Sequence, residues 1–161
     1  MFMTWKICAL ILLTTLPLMA SPPGEGLAFY LLKRDIPKTP SAPAGAEVED
    51  QPFISQNDIV SYSLRNQSML LTSKAIDRLK RLVGSARFEA CVDRKPIYSG
   101  RLWSILRSAS CPEIVLEIPT DGSFNVRLEA GYPTNECFVG KDERSNALIV
   151  TALKSSGKLV D

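Results

Sequence analysis

Within the thirteen residues CVDRKPIYSGRLW, Cys91 to Trp103, fall a thiol, a carboxylate, three cations and two aromatic rings. A cysteine nucleophile needs a neighbouring base, usually an imidazole. The chain contains no histidine. That removes Ser-His-Asp and Cys-His catalysis, the common zinc sites and the usual proton shuttle near neutral pH. Cys91 is therefore read as a small buried group within a strand. Arg94, Lys95, Tyr98, Arg101 and Trp103 remain as candidate binding residues, turn cations beside aromatics that alternatively fill the core.

Carboxylate pairs of the kind glycosidases use are the remaining route to catalysis. Asp58, Asp93, Glu117, Glu129 and Asp142 are available. Nothing in their spacing pairs any two, so each is read as a solvated side chain. The S-x-x-K match at Ser155 to Lys158 straddles Gly157, where neither side chain would be held rigidly, and is read as chance. No glycine-rich phosphate loop occurs, and Asp121-Gly122 lacks the further carboxylates of a calcium loop. The chain is expected to be no enzyme and to carry neither cofactor nor metal. A net charge of +2 leaves no electrostatic footprint for nucleic acid.

The elements that must position these residues follow from periodicity. The chain has 161 residues, 45% apolar and 22% charged, as expected of one globular domain. Its first twenty residues, MFMTWKICALILLTTLPLMA, place Lys6 before an apolar run from Ile7 to Met19. That run is shorter than the about 20 apolar residues a bilayer crossing needs, and reads as a signal peptide cleaved after Ala20, with an uncleaved anchor as the alternative. Residues 21–161 then form a single exported domain, periplasmic or secreted, with no stable membrane span after cleavage.

Gly26 to Leu32 suits a buried strand. Residues 33–52 hold four prolines and few large apolar residues, and read as a mobile loop. Strands are predicted from Asp58 to Leu64 and from Ser68 to Leu71. Thr72 caps a helix with Ala75, Ile76, Leu79, Leu82 and Val83 on one stripe and Gly84 as its stop. Phe88 to Val92 and Ile97 to Trp103 flank a turn at Asp93 to Pro96. Glu113 to Ile118 and Phe124 to Ala130 form a hairpin about Asp121-Gly122. A second helix, capped by Asp142 or Ser145, turns Leu148, Ile149, Ala152 and Leu153 inward and ends at Gly157. The fold class is α+β, an antiparallel or mixed sheet with two packed helices.

Export makes the cysteines informative, since disulfides persist in oxidising compartments. Counting outward from Asp121-Gly122 sets Leu116 near Arg127 and Cys111 near Tyr132. Cys111 and Cys137 then leave the sheet at one end while Cys91 sits mid-strand elsewhere. A Cys111–Cys137 bridge is expected, worth roughly 3 kcal/mol on the chain-entropy model.

Asp58-Ile59, Leu71-Thr72, Phe88 to Val92, Asp93, and Ile97 to Gly100 together resemble the first large periplasmic domain of the SecD subunit of the bacterial preprotein translocase. GLAFYLL is similar to that domain's first strand. Arg94 stands where the turn glycine would be, and the translocase's membrane helices are not matched. The chain also resembles small exported bacterial proteins of unassigned role with GLAFYLL, DIVSYS, CVD-x-x-x-IYSG and LEAGYP-like segments. The resemblance implies a SecD-like periplasmic fold and contact with polypeptides or other envelope components. The expected function is an exported, non-enzymatic binding or accessory module with a protein partner. The alternatives are a carboxylate-dependent hydrolase of cell-wall glycans and a secreted inhibitor or immunity-type protein.

Overall fold

Seven short segments rich in β-branched and aromatic residues form one mixed sheet in a computed structural model that describes residues 24–33, 47–82 and 86–161. The strands are β1 (Leu27–Leu31), β2 (Ile59–Ser63), β3 (Ser68–Leu71), β4 (Arg87–Val92), β5 (Lys95–Trp103), β6 (Cys111–Glu117) and β7 (Asn125–Tyr132). Their order across the sheet is β1-β4-β5-β6-β7-β3-β2. All neighbours run antiparallel except β5 and β6, which are parallel. The α+β class holds, and the sheet is the mixed one of the two expected. The leader at residues 1–20, most of the proline-rich stretch, and Val83 and Gly84 lie outside the described residues.

Two helices, α1 (Ser73–Arg81) and α2 (Ala147–Ser155), pack on the same face of the sheet. Ala75, Ile76 and Leu79 from α1 and Ile149 and Leu153 from α2 share one core with Phe29, Phe88, Leu102, Leu116 and Leu128. Thr72 caps α1 as expected, its hydroxyl accepting the Ala75 N–H at 3.3 Å. The cap of α2 is Asn146, which accepts the Leu148 N–H at 2.9 Å. The two expected caps are engaged elsewhere: Asp142 takes Arg144, and Ser145 accepts a hydrogen bond from the Gln67 amide. Leu148, expected to face inward, stands 39% exposed, because the buried stripe runs through Ile149 and Leu153.

Gly100 fits a close approach within this core. The Phe88 ring, edge-on to Phe29 at 5.8 Å and to Tyr98 at 6.4 Å, occupies the space a Cβ at Gly100 would need.

The β6–β7 pairing differs from the expected count by one residue. Leu116 lies opposite Leu128 and Ile114 opposite Ala130, while Cys111 does lie opposite Tyr132. A bulge between Cys111 and Ile114 absorbs the slip. Directly opposite residues share a face, so this register keeps apolar side chains together where the simple count would set Leu116 against Arg127. Phe124, expected on the core face, is 47% exposed and precedes the strand.

Both outer strands already have their free backbone edges occupied. Along β1, the Phe29 N–H donates to the Ile54 carbonyl at 2.8 Å and the Glu49 N–H to the Leu31 carbonyl at 2.8 Å. Residues 47–52, read in the sequence as the end of a loop, therefore run beside the sheet, with Val48 packed on Ala28, Tyr30 and Cys91. Along β2, Tyr62 receives Val160 and donates to Lys158, at 3.0 and 2.7 Å.

Candidate functional site

The stretch from Cys91 to Trp103 is a strand, a two-residue turn and a second strand. Asp93 and Arg94 both have positive φ, 50° and 65°, the geometry of a tight hairpin turn that follows the sheet's twist. Contacts hold each of them there. Asp93 accepts the Gly26 N–H at 2.7 Å. Arg94 donates to Glu25 at 2.9 Å and to the Asp50 carbonyl at 2.9 Å, with its guanidinium 4.9 Å over the Tyr30 ring. The turn thus clamps two segments that enter and leave β1.

Strand alternation divides the other expected binding residues. Lys95 is exposed beside the turn. Tyr98 is buried on the helix-bearing face within the main core, where burial raises its hydroxyl pKa well above the ordinary value. Arg101 and Trp103 lie on the opposite face. Arg94, over the Tyr30 ring, reaches that same face from the turn, so three of the five residues lie on it.

That second face carries no helix among the described residues, and a lattice of charged side chains lies across it. Glu113 on β6 sits 3.2 Å from Arg87 of β4 and 3.3 Å from Arg101 of β5. Glu89 stands between Tyr30 and Ser99 on the flanking strands and is only 2% exposed. Its Oε2 has no hydrogen-bond partner among the described residues, and burial pushes its carboxyl up to about 7, with Arg87 opposing. Burial, followed by the Glu89 charge, pushes the Cys91 thiol up to about 11, away from the thiolate that nucleophilic chemistry needs.

The sequence placed Glu89 and Cys91 opposite Phe88 and Ala90 by alternation. The depth of Glu89 was not readable, because it depends on neighbours far apart in the chain.

A seven-residue connection, 104–110, joins the parallel strands β5 and β6. Trp103 lies beside Glu117, six residues along β6 from Cys111, where the connection must arrive, a separation of roughly 20 Å. The connection opens on a turn, in which the Arg107 N–H donates to the Ser104 carbonyl at 3.0 Å. Its route is marked by Arg107, 5.0 Å over the Trp103 ring, and by the Tyr132 hydroxyl, which donates to the Ile105 carbonyl at 3.2 Å. Trp103, Cys111 and Val115 form a small buried cluster on this face, with Tyr132 against them.

Three of the five candidate carboxylates are occupied structurally. Asp58 takes Arg78 at 2.6 Å, Asp93 holds Gly26, and Asp142 takes Arg144 at 2.7 Å. The other two are brought together. Glu117 lies opposite Arg127 and Glu129 opposite Val115, so the two glutamates are diagonal neighbours on the helix-free face. Glu129 pairs with Arg127 at 2.7 Å. Burial and the Glu129 charge raise the Glu117 carboxyl, with Arg127 opposing. Glu117 also lines a groove of about 290 Å³ with Ile105, Thr120, Asp121, Asn125 and Arg127.

The expected Cys111–Cys137 bridge is not formed; Cys91, Cys111 and Cys137 are free thiols. Cys111 belongs to the Trp103 cluster on the helix-free face. The short turn Asn135–Cys137 instead leads into Phe138, which packs against the core on the other face. Ser155 and Lys158 do not meet: the hydroxyl donates to the Thr151 carbonyl and the ammonium to the Ile59 carbonyl. Among the described residues no group of three or more histidine, cysteine or acidic side chains is placed to hold a metal ion. No described helix is long and apolar enough to cross a membrane.

Fold and site together define a two-layer α+β domain with helices on one face of a seven-stranded sheet and charged and aromatic side chains on the other. No family model, curated protein or solved structure matches the chain.

Proposed function

We propose that the protein is an exported, non-enzymatic binding or accessory module of the bacterial envelope, contacting polypeptide or other envelope partners through its helix-free face. The observation that carries this reading is the exposed rim of that face: Arg94, Arg107 and Arg127 keep their side chains in solvent, each fixed by a neighbour, Glu25, the Trp103 ring and Glu129, while Arg87, Glu89 and Trp103 lie buried beneath. Charges fixed in this way favour recognition, since little ordering remains to be done on binding. The apolar leader read at residues 1–20 and the SecD-like segment from Asp58 to Trp103 support the location and the class of partner.

Photo-cross-linking from several positions on this face in intact envelopes tests the reading. One reproducible protein partner is expected. Finding none, or finding the chain unprocessed in the cytosol, overturns it.

A second reading, a carboxylate-dependent hydrolase of wall glycans, is favoured by the diagonal Glu117 and Glu129, one raised by burial and the other paired to an arginine. Release of soluble sugar from purified wall material, abolished in Glu117→Gln, would establish it in place of the first.

A further inference from the structure

Five of the eight large apolar side chains that stand exposed among the described residues gather at one end of the sheet. Ile105 and Leu106 follow the C-terminal end of β5, and Leu106 is 79% exposed. Phe124 precedes β7, and its carbonyl accepts the Leu71 N–H at 2.9 Å, which sets Leu70 beside it. Leu70 lies opposite Asn125 on β7 and Ser61 on β2, next to Val60. The groove that holds Glu117 runs between Ile105 and Asn125, linking the two halves of this strip. Exposed apolar surface rimmed by polar residues marks an interaction site more often than an accident of folding.

We propose that this end of the sheet receives an extended segment of a partner polypeptide in which a lysine or arginine stands between apolar side chains. The apolar side chains rest on Leu70, Phe124, Ile105 and Leu106, and the cation meets Glu117 in the groove. Charge selects this occupant. Glu117 and Asp121 both line the groove and neither forms an ion pair among the described residues, whereas Arg127 is taken by Glu129 and Arg107 lies over Trp103. Unpaired carboxylates repel an anionic lipid surface and attract a basic side chain. A second copy docking by the same patch would bring Glu117 towards its own counterpart, which like charge opposes.

Glu117 is held partly out of water beside Glu129, so an arriving cation relieves a cost the protein already carries. Ile105 and Leu106 are the two central residues of the Ser104–Arg107 turn, which the Tyr132 hydroxyl also holds through the Ile105 carbonyl, and this lowers the ordering cost of binding. This assignment deepens the binding-module reading and rests on it.

Blocked ten-residue peptides titrated into the isotope-labelled protein test it: alternating Leu and Lys, alternating Leu and Glu, and alternating Ser and Lys, with phosphatidylglycerol vesicles alongside. Saturable binding of the Leu–Lys peptide alone is expected, with amide shifts at Ile105, Leu106, Phe124 and Leu70. Glu117→Gln should weaken it roughly tenfold, the size of one charge-assisted hydrogen bond. Leu106→Ser, at a side chain that supports no core packing, should weaken it as well.

Equal binding of the Leu–Glu or Ser–Lys peptide, binding to the vesicles, self-association through the same residues, or no saturation at millimolar peptide each overturns the assignment. A partner cross-linked in the envelope through a different surface leaves the binding-module reading standing and overturns only this assignment; the absence of any partner overturns both.

Discussion

The Arg94 guanidinium lies 4.9 Å over the Tyr30 ring while its Nε donates to Glu25 at 2.9 Å. A turn residue of one hairpin thereby holds the approach to β1 and, through the Asp50 carbonyl, the segment that runs along its edge. The cations of the Cys91–Trp103 stretch that invite a binding role thus include one committed to the fold.

Arg94→Ala should free that edge without unfolding the sheet. Hydrogen exchange should speed up several-fold at the amides of Phe29 and Glu49, which bond across the edge, and stay unchanged at Leu128 in the centre. Uniform acceleration would show instead that the clamp supports global stability.

Glu89 should make stability depend on pH. Its carboxyl is pushed from the ordinary 4.5 up to about 7 by burial, so the folded state holds the proton more tightly than the unfolded chain. Such a group contributes stability that is fully present below 4.5 and lost as pH rises through about 7. Glu89→Gln removes the loss. Relative to wild type, the variant should gain roughly 3 kcal/mol between about pH 4 and about pH 8, read from urea unfolding midpoints. A difference that stays flat with pH would contradict the burial of a protonated carboxyl.

Gly100→Ala adds a Cβ that falls within the Phe88 ring tip and 2.6 Å from the Ile114 carbonyl oxygen. Neither neighbour can yield, since one is a core aromatic and the other is backbone. A loss of about 1–3 kcal/mol is expected by denaturant titration. Pairing Gly100→Ala with Phe88→Leu should recover part of it.

The three thiols among the described residues should react in order of access. Cys137 is half-buried, while Cys91 and Cys111 are buried and burial raises both of their thiols. Alkylation of the native protein, mapped by mass spectrometry, should mark Cys137 first and the other two only on addition of denaturant. Rapid labelling of Cys91 would reopen its role as a nucleophile.

Strand and helix positions were largely legible, because each depends on neighbours along the chain. Ser68 to Leu71 and Thr72 ahead of α1 lie where periodicity and capping set them. The parallel pairing of β5 with β6 was not legible, since a seven-residue connection is shorter than crossovers between parallel strands usually are. The β6–β7 register slipped for a related reason: counting from a turn overlooks a bulge that face-matching demands. Within the candidate site, alternation alone separates Tyr98 from Arg101 and Trp103. The meeting of Glu117 with Glu129, by contrast, needed the register, and the Arg87–Glu113–Arg101 bracket needed the strand order.

Along both outer strands, main-chain groups of Phe29, Leu31 and Tyr62 that would otherwise face outward are answered by Ile54, Glu49, Lys158 and Val160, so a visitor is met there by groups already bonded. Lengthening into fibres by strand addition is blocked for the same reason. Recognition at those two edges is then written in side chains, so associates there can change by substitutions at a handful of surface positions while the architecture beneath them stays untouched.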